Sequence, residues 1–160
     1  MKSNFSLILL PFLLFTANSI FAQNPATAAD IAKVREILNN QNFRIDILNV
    51  VREGAEPVAI YSANSVEIKN NIIKAKFPYF FRDDNPKTAS VSDIKLNYPI
   101  KKIKIKENKK KGIFVINILT LNKNKQKYQV LINIDYYGYC IIYITNPQKE
   151  KVMYDGRLKI

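Results

Sequence analysis

The chain has no histidine and no tryptophan, a single cysteine and four glycines among its 160 residues. Without histidine it lacks the commonest general base and the commonest transition-metal ligand, so serine or cysteine nucleophiles that depend on an imidazole are excluded. Cys140, being alone, forms no intrachain disulfide. It shares a strand face with Ile142 and Ile144 and reads as a small core residue. The four glycines form no cluster, which excludes a phosphate-cradling loop. No Ser-x-x-Lys run opens a helix. Asp83, Asp84 and Asp93 are acidic, but no EF-hand loop surrounds them. No catalytic residue, metal ligand or cofactor is expected.

What is present begins with an apolar leader. Lys2 is followed by the run Phe5 to Phe15, broken only by Ser6 and Pro11, and Ser19-Ile20-Phe21-Ala22 ends in a small residue. This is the pattern of a secretory signal peptide cut after Ala22. The run is shorter than the roughly 20 residues of a membrane span, so export with cleavage is preferred to anchoring. No cysteine stands near the cut to accept lipid. Residues 1–22 are thus expected to be a signal peptide and 23–160 one domain, located in the periplasm or secreted, with no transmembrane segment in the mature chain.

The net charge is +12, from 25 lysines and arginines against 13 acids. In an exported protein such a field meets anionic lipid, polysaccharide and acidic protein before nucleic acid, which is not an expected partner. An anionic envelope surface or another exported protein is the expected class of partner. The densest charge is Lys101, Lys102, Lys104, Lys106, Lys109, Lys110 and Lys111. On a strand Lys102, Lys104 and Lys106 share one face, while Lys109, Lys110 and Lys111 crown the next turn. Such a row can bind anions, or can simply protect a sheet edge from self-association. Tyr136, Tyr137, Tyr139 and Tyr143 divide between core positions and a stacking surface.

Thr27-Ala28-Ala29-Asp30 is a capping box, and Ile31, Val34, Ile37 and Leu38 form a helical stripe that Asn39-Asn40 brings to an end. From Phe43 the period becomes two. Strands are predicted from Phe43, Ile45 and Ile47; at Val58 to Tyr61; at Val66 to Lys69, turning at Asn70-Asn71 into Ile73, Ala75 and Phe77; and around Ile103 and Ile105. Further strands follow at Ile113 to Leu121, Tyr128 to Tyr136, Tyr139 to Thr145, and Val152 onward. Arg82 to Asp93 reads as a polar surface loop. The expected fold is α+β, with an N-terminal helix packed on a twisted, largely antiparallel meander sheet of about seven or eight strands. A β-barrel is the alternative, and packing of the helix on the sheet would count against it.

Phe77-Pro78-Tyr79-Phe80-Phe81-Arg82 resembles the Leu-Pro-Tyr-Phe-Gly-Arg element of domain of unknown function 4251, a family of exported proteins of the Bacteroides group. Phe81 stands where the glycine would be. The order of helix, hairpin, polar loop, lysine-rich tip, Gly138 and closing Tyr154-Asp155-Gly156 matches as well. The resemblance implies an envelope or secreted location and a compact α+β fold, and transfers no functional residues. Arg82 is the candidate partner contact within the motif. The leading reading is a non-enzymatic binding or structural module of the envelope. Alternatives are a histidine-independent hydrolase using carboxylates, or an inhibitor of a secreted enzyme acting through residues 82–93.

Overall fold

The computed structural model describes residues 25–51, 56–60, 64–78 and 93–160. The leader, Arg82 and the loop through residue 92 lie outside the described residues. Helix α1 (Ala28–Asn39) starts as its sequence dictates. The backbone N–H of Asp30 donates to Thr27 Oγ1 at 3.2 Å, and the Asp30 carboxylate accepts from the Thr27 N–H at 3.0 Å. Its stripe is buried at Val34 and Leu38, with Ile31 and Ile37 partly covered. The left-handed residue after the helix is Gln41 (φ 50°), not Asn39 or Asn40; Asn40 stays right-handed as the cap.

Among the described residues nine strands follow: β1 (Phe43–Val51), β2 (Val58–Ala59), β3 (Ser65–Lys69), β4 (Ile72–Phe77), β5 (Ile94–Asn108), β6 (Ile113–Leu121), β7 (Lys127–Asp135), β8 (Tyr139–Thr145) and β9 (Lys151–Leu158). All pairings are antiparallel. The predicted open meander is corrected by one of them. β9 returns to β1, with Ile45 opposite Leu158 and Val51 opposite Met153, so β1 and β3 to β9 close into an eight-stranded barrel. The short β2 extends the β3 side of β1. Helix packing does not oppose closure, because α1 lies at an end of the barrel rather than over a sheet face. Three residues join it to β1, and Arg35 reaches Glu107 at the end of β5, the end that also carries the β3–β4 and β7–β8 turns.

An eight-stranded barrel has an interior just wide enough for side chains to fill. Here Ile45, Ile68, Ile73, Phe77, Ile116, Ile132, Ile142 and Tyr154 are fully buried. Phe77 on β4 and Tyr154 on β9 meet across that interior, their ring centroids 5.0 Å apart. Lysines dominate the outward positions of β4 and β5. This is the reverse of a transmembrane barrel, whose lipid-facing side is apolar and whose lumen is polar. Among the described residues no helix is long and apolar enough to cross a membrane.

Two bulges set which side chains face outward. One extra residue at Leu48 and another at Lys101 shift the register of β1 against β9 and of β5 against β6. Each inserts one residue and inverts the alternation beyond it. In β5 the inward set passes from Leu96 and Ile100 to Ile103 and Ile105, which turns Lys102, Lys104 and Lys106 outward.

Candidate binding surfaces on the outside of the barrel

Outward residues align in rungs across neighbouring strands. Lys104, Asn117, Leu131, Tyr143 and Met153 form one rung, and Lys102, Leu119, Gln129, Thr145 and Lys151 the next. All of these but Met153, together with Lys127, line a shallow groove of about 570 Å³ over β5 to β9. Lys102 and Lys104 stand on the β5 border, Lys151 on the β9 border, and Lys127 on the middle strand beside the β6–β7 turn, with the Gln129 and Asn117 amides between. Lys151 Nζ lies 4.2 Å from the centroid of the Tyr143 ring, which orients both groups by a cation–π contact. Among the described residues no carboxylate lines the groove.

The lysine row read from the sequence is therefore divided. Lys102 and Lys104 enter the groove; Lys106 stands one rung nearer the hairpin tip, opposite Val115; and Lys109, Lys110 and Lys111 occupy the exposed tip itself. Lys127 and Lys151 were not linked to this row by sequence. The signal that could have found them is register: the turn at Asn122 to Gln126 brings Lys127 beside Leu121, and the turn at Asn146 to Glu150 brings Lys151 beside Thr145.

A second groove, of about 490 Å³, lies on the barrel wall toward the α1 end and is lined by Leu48, Ile113, Tyr139 and Ile141 with Asp135 and Asp155. Its two carboxylates already hold structural partners. Asp135 Oδ1 accepts the backbone N–H groups of Tyr137 and Tyr139, each at 2.9 Å, and fixes the β7–β8 turn. Asp155 Oδ1 accepts from Asn49 Nδ2 at 2.7 Å across the β1–β9 seam. The acids stand on strands two apart and one rung out of line. Among the described residues no cluster of three metal-ligating side chains forms. Cys140 is buried, its Sγ lies 3.3 Å from the Gly138 carbonyl, and burial pushes its thiol up to about 12, as suits an inert core residue.

At the helix end, Arg35 binds Glu107 in a fork, with Nη2 3.0 Å from both carboxylate oxygens, and the Tyr136 hydroxyl donates to Glu107 Oε1 at 2.9 Å. Arg35 foremost, then Tyr136, holds the Glu107 carboxyl below its ordinary value of 4.5 against the opposing effect of burial. A carboxyl depressed on folding stabilises the protein above its unfolded value, and that contribution disappears as pH falls through the folded value. The melting-temperature advantage of the wild type over Glu107→Gln is accordingly expected to be full at neutral pH and to vanish on acidification below 4.5. Thermal melts of both proteins across that range measure it.

These features define a small antiparallel β-barrel with a filled interior, one end covered by a helix, and shallow grooves on its outer wall. Within that class the chain belongs to the family described as domain of unknown function (DUF4251), whose model matches residues 26–158. The structure is similar to the crystal structure of a DUF4251 family protein from Bacteroides eggerthii DSM 20697, with a TM-score of 0.66 at 14% identity, over 83% of this chain and 89% of that one. No curated protein matches the sequence.

Proposed function

We propose that this protein is an exported, non-enzymatic binding module of the cell envelope, and that the basic groove over β5 to β9 takes an anionic ligand. The observation that carries the reading is the convergence of Lys102, Lys104, Lys127 and Lys151 on one groove that no carboxylate among the described residues lines. Export is supported by the leader at Met1 to Ala22. Cell fractionation and N-terminal sequencing test that half, with Gln23 expected as the first residue of the mature protein.

Near an anionic surface each lysine contributes about 1 kcal/mol, and salt screens the attraction. Replacing Lys102, Lys104, Lys127 and Lys151 together by glutamine is expected to weaken binding to phosphatidylglycerol vesicles or to an acidic polysaccharide by at least about tenfold at low salt. The same exchange at Lys109, Lys110 and Lys111 removes a similar charge from the tip and is expected to cost less. Equal losses from the two sets would reduce the groove to a share of the general positive field.

A further inference from the structure

β5 is 15 residues long, and its two neighbours share it unequally. β4 pairs with Ile94 to Pro99, whereas β6 pairs with Ile100 to Asn108. The last groups used on the β4 side belong to Ile100, whose N–H donates to the Asn71 carbonyl at 2.8 Å and whose C=O accepts from Asn71 Nδ2 at 3.4 Å. Past the bulge at Lys101 that side of the strand meets no other strand among the described residues. By the alternation of an antiparallel ladder, Ile103 and Ile105 turn their backbone N–H and C=O toward it. Their side chains pack on the core, so the edge is held in extended form. Beyond them Glu107 is tied to Arg35 of α1, which bounds the open stretch.

Sheet edges are commonly disabled by proline, by an inward-pointing charge or by a bulge in mid-edge. None of these interrupts Lys101 to Lys106: the bulge stands at the start, the inward residues are isoleucines, and Lys102, Lys104 and Lys106 all face outward and are exposed. A second copy of this edge would set lysine opposite lysine, which is unfavourable. An extended segment with carboxylates at every second residue would instead meet each lysine with an opposite charge while its backbone completed the ladder.

We propose that the edge of β5 from Lys101 to Lys106 receives an extended acidic segment of a partner protein as an added strand. The backbone ladder supplies affinity and the three lysines select acid at alternate positions. The row that prevents self-pairing therefore also chooses the partner.

The mature chain titrated with a short peptide of alternating valine and glutamate provides the test. Amide exchange at Ile103 and Ile105 should slow by about tenfold or more at saturation. A peptide of the same charge, N-methylated at alternate residues so that it cannot complete the ladder, should give neither binding of that strength nor protection. Replacing Lys102, Lys104 and Lys106 by glutamate should transfer the preference to a valine-lysine peptide, with an unchanged native spectrum as the check on folding. Equal binding of the N-methylated peptide, or unprotected Ile103 and Ile105 amides at saturation, overturns the proposal and leaves the row as an edge guard. Lys127→Gln with Lys151→Gln should weaken vesicle binding and spare the peptide, so the edge and the groove fail separately.

Discussion

Replacing Phe77 by alanine is expected to lower the free energy of unfolding by about 3–5 kcal/mol, the range for removing a fully buried aromatic ring. Phe77 is 0% exposed and packs on Tyr154 from the far side of the barrel. In a closed interior the surrounding strands cannot collapse into the vacated space without breaking ladder bonds, so most of the cavity should persist. The same region separates packing from hydrogen bonding. Tyr154 Oη donates to the Pro78 carbonyl at 2.7 Å, just past the end of β4. Tyr154→Phe keeps the ring and leaves that carbonyl without this donor, at a cost of about 1 kcal/mol. Ile72→Ala, on the exposed outer wall, should change stability by less than about 0.5 kcal/mol. Urea denaturation of the three variants should show this order in the midpoint, at an unchanged slope.

Phe77 and Tyr154 also show how much of the fold was legible in advance. Phe77 was predicted on a strand alternating with Lys74 and Lys76 and Tyr154 on the last strand, and both stand there. The capping box at Thr27, the turn at Asn70-Asn71 and the alternation from Tyr128 to Tyr136 are local signals, and the structure realises all three, the turn with both asparagines left-handed. Closure was not legible, because an inward face in a barrel has the same period of two as the covered face of an open sheet. The deciding contact joins Ile45 to Leu158, residues from opposite ends of the domain. The bulges escaped for a related reason. Leu48 is apolar and Lys101 lies within a lysine row, so neither extra residue interrupts the composition of its strand. Of the candidate contacts, Lys102 and Lys104 were correctly placed on one outer face, while Lys127 and Lys151 required the registers of β6 to β9. Arg82 and residues 83–92, the basis of the inhibitor reading, lie outside the described residues.

Gly156→Ala tests the closure itself, through the sign of its effect. Gly156 stands opposite Ile47 in the seam between β9 and β1, where a Cβ would lie 2.5 Å from the Asp46 carbonyl oxygen and 3.2 Å from Ile45 Cγ2. The nearest obstacle is backbone, so the two strands must separate to admit the methyl group. Overpacking of this kind costs about 1–3 kcal/mol, and Gly156→Val should cost more. In an open sheet, with β9 as a free edge, no such obstacle exists. Alanine would then stabilise the strand by about 0.5–1 kcal/mol through the lost freedom of glycine in the unfolded chain. A destabilised Gly156→Ala variant, with faster amide exchange along Ile45 to Val51 and Met153 to Leu158, follows from the closed barrel; a stabilised one would contradict the seam. The seam also bears on binding, since β9 carries Lys151 at the border of the basic groove. A variant that loosens β9 from β1 without unfolding the domain should weaken the anionic ligand through that border, while the β5 edge, four strands away around the ring, keeps its peptide.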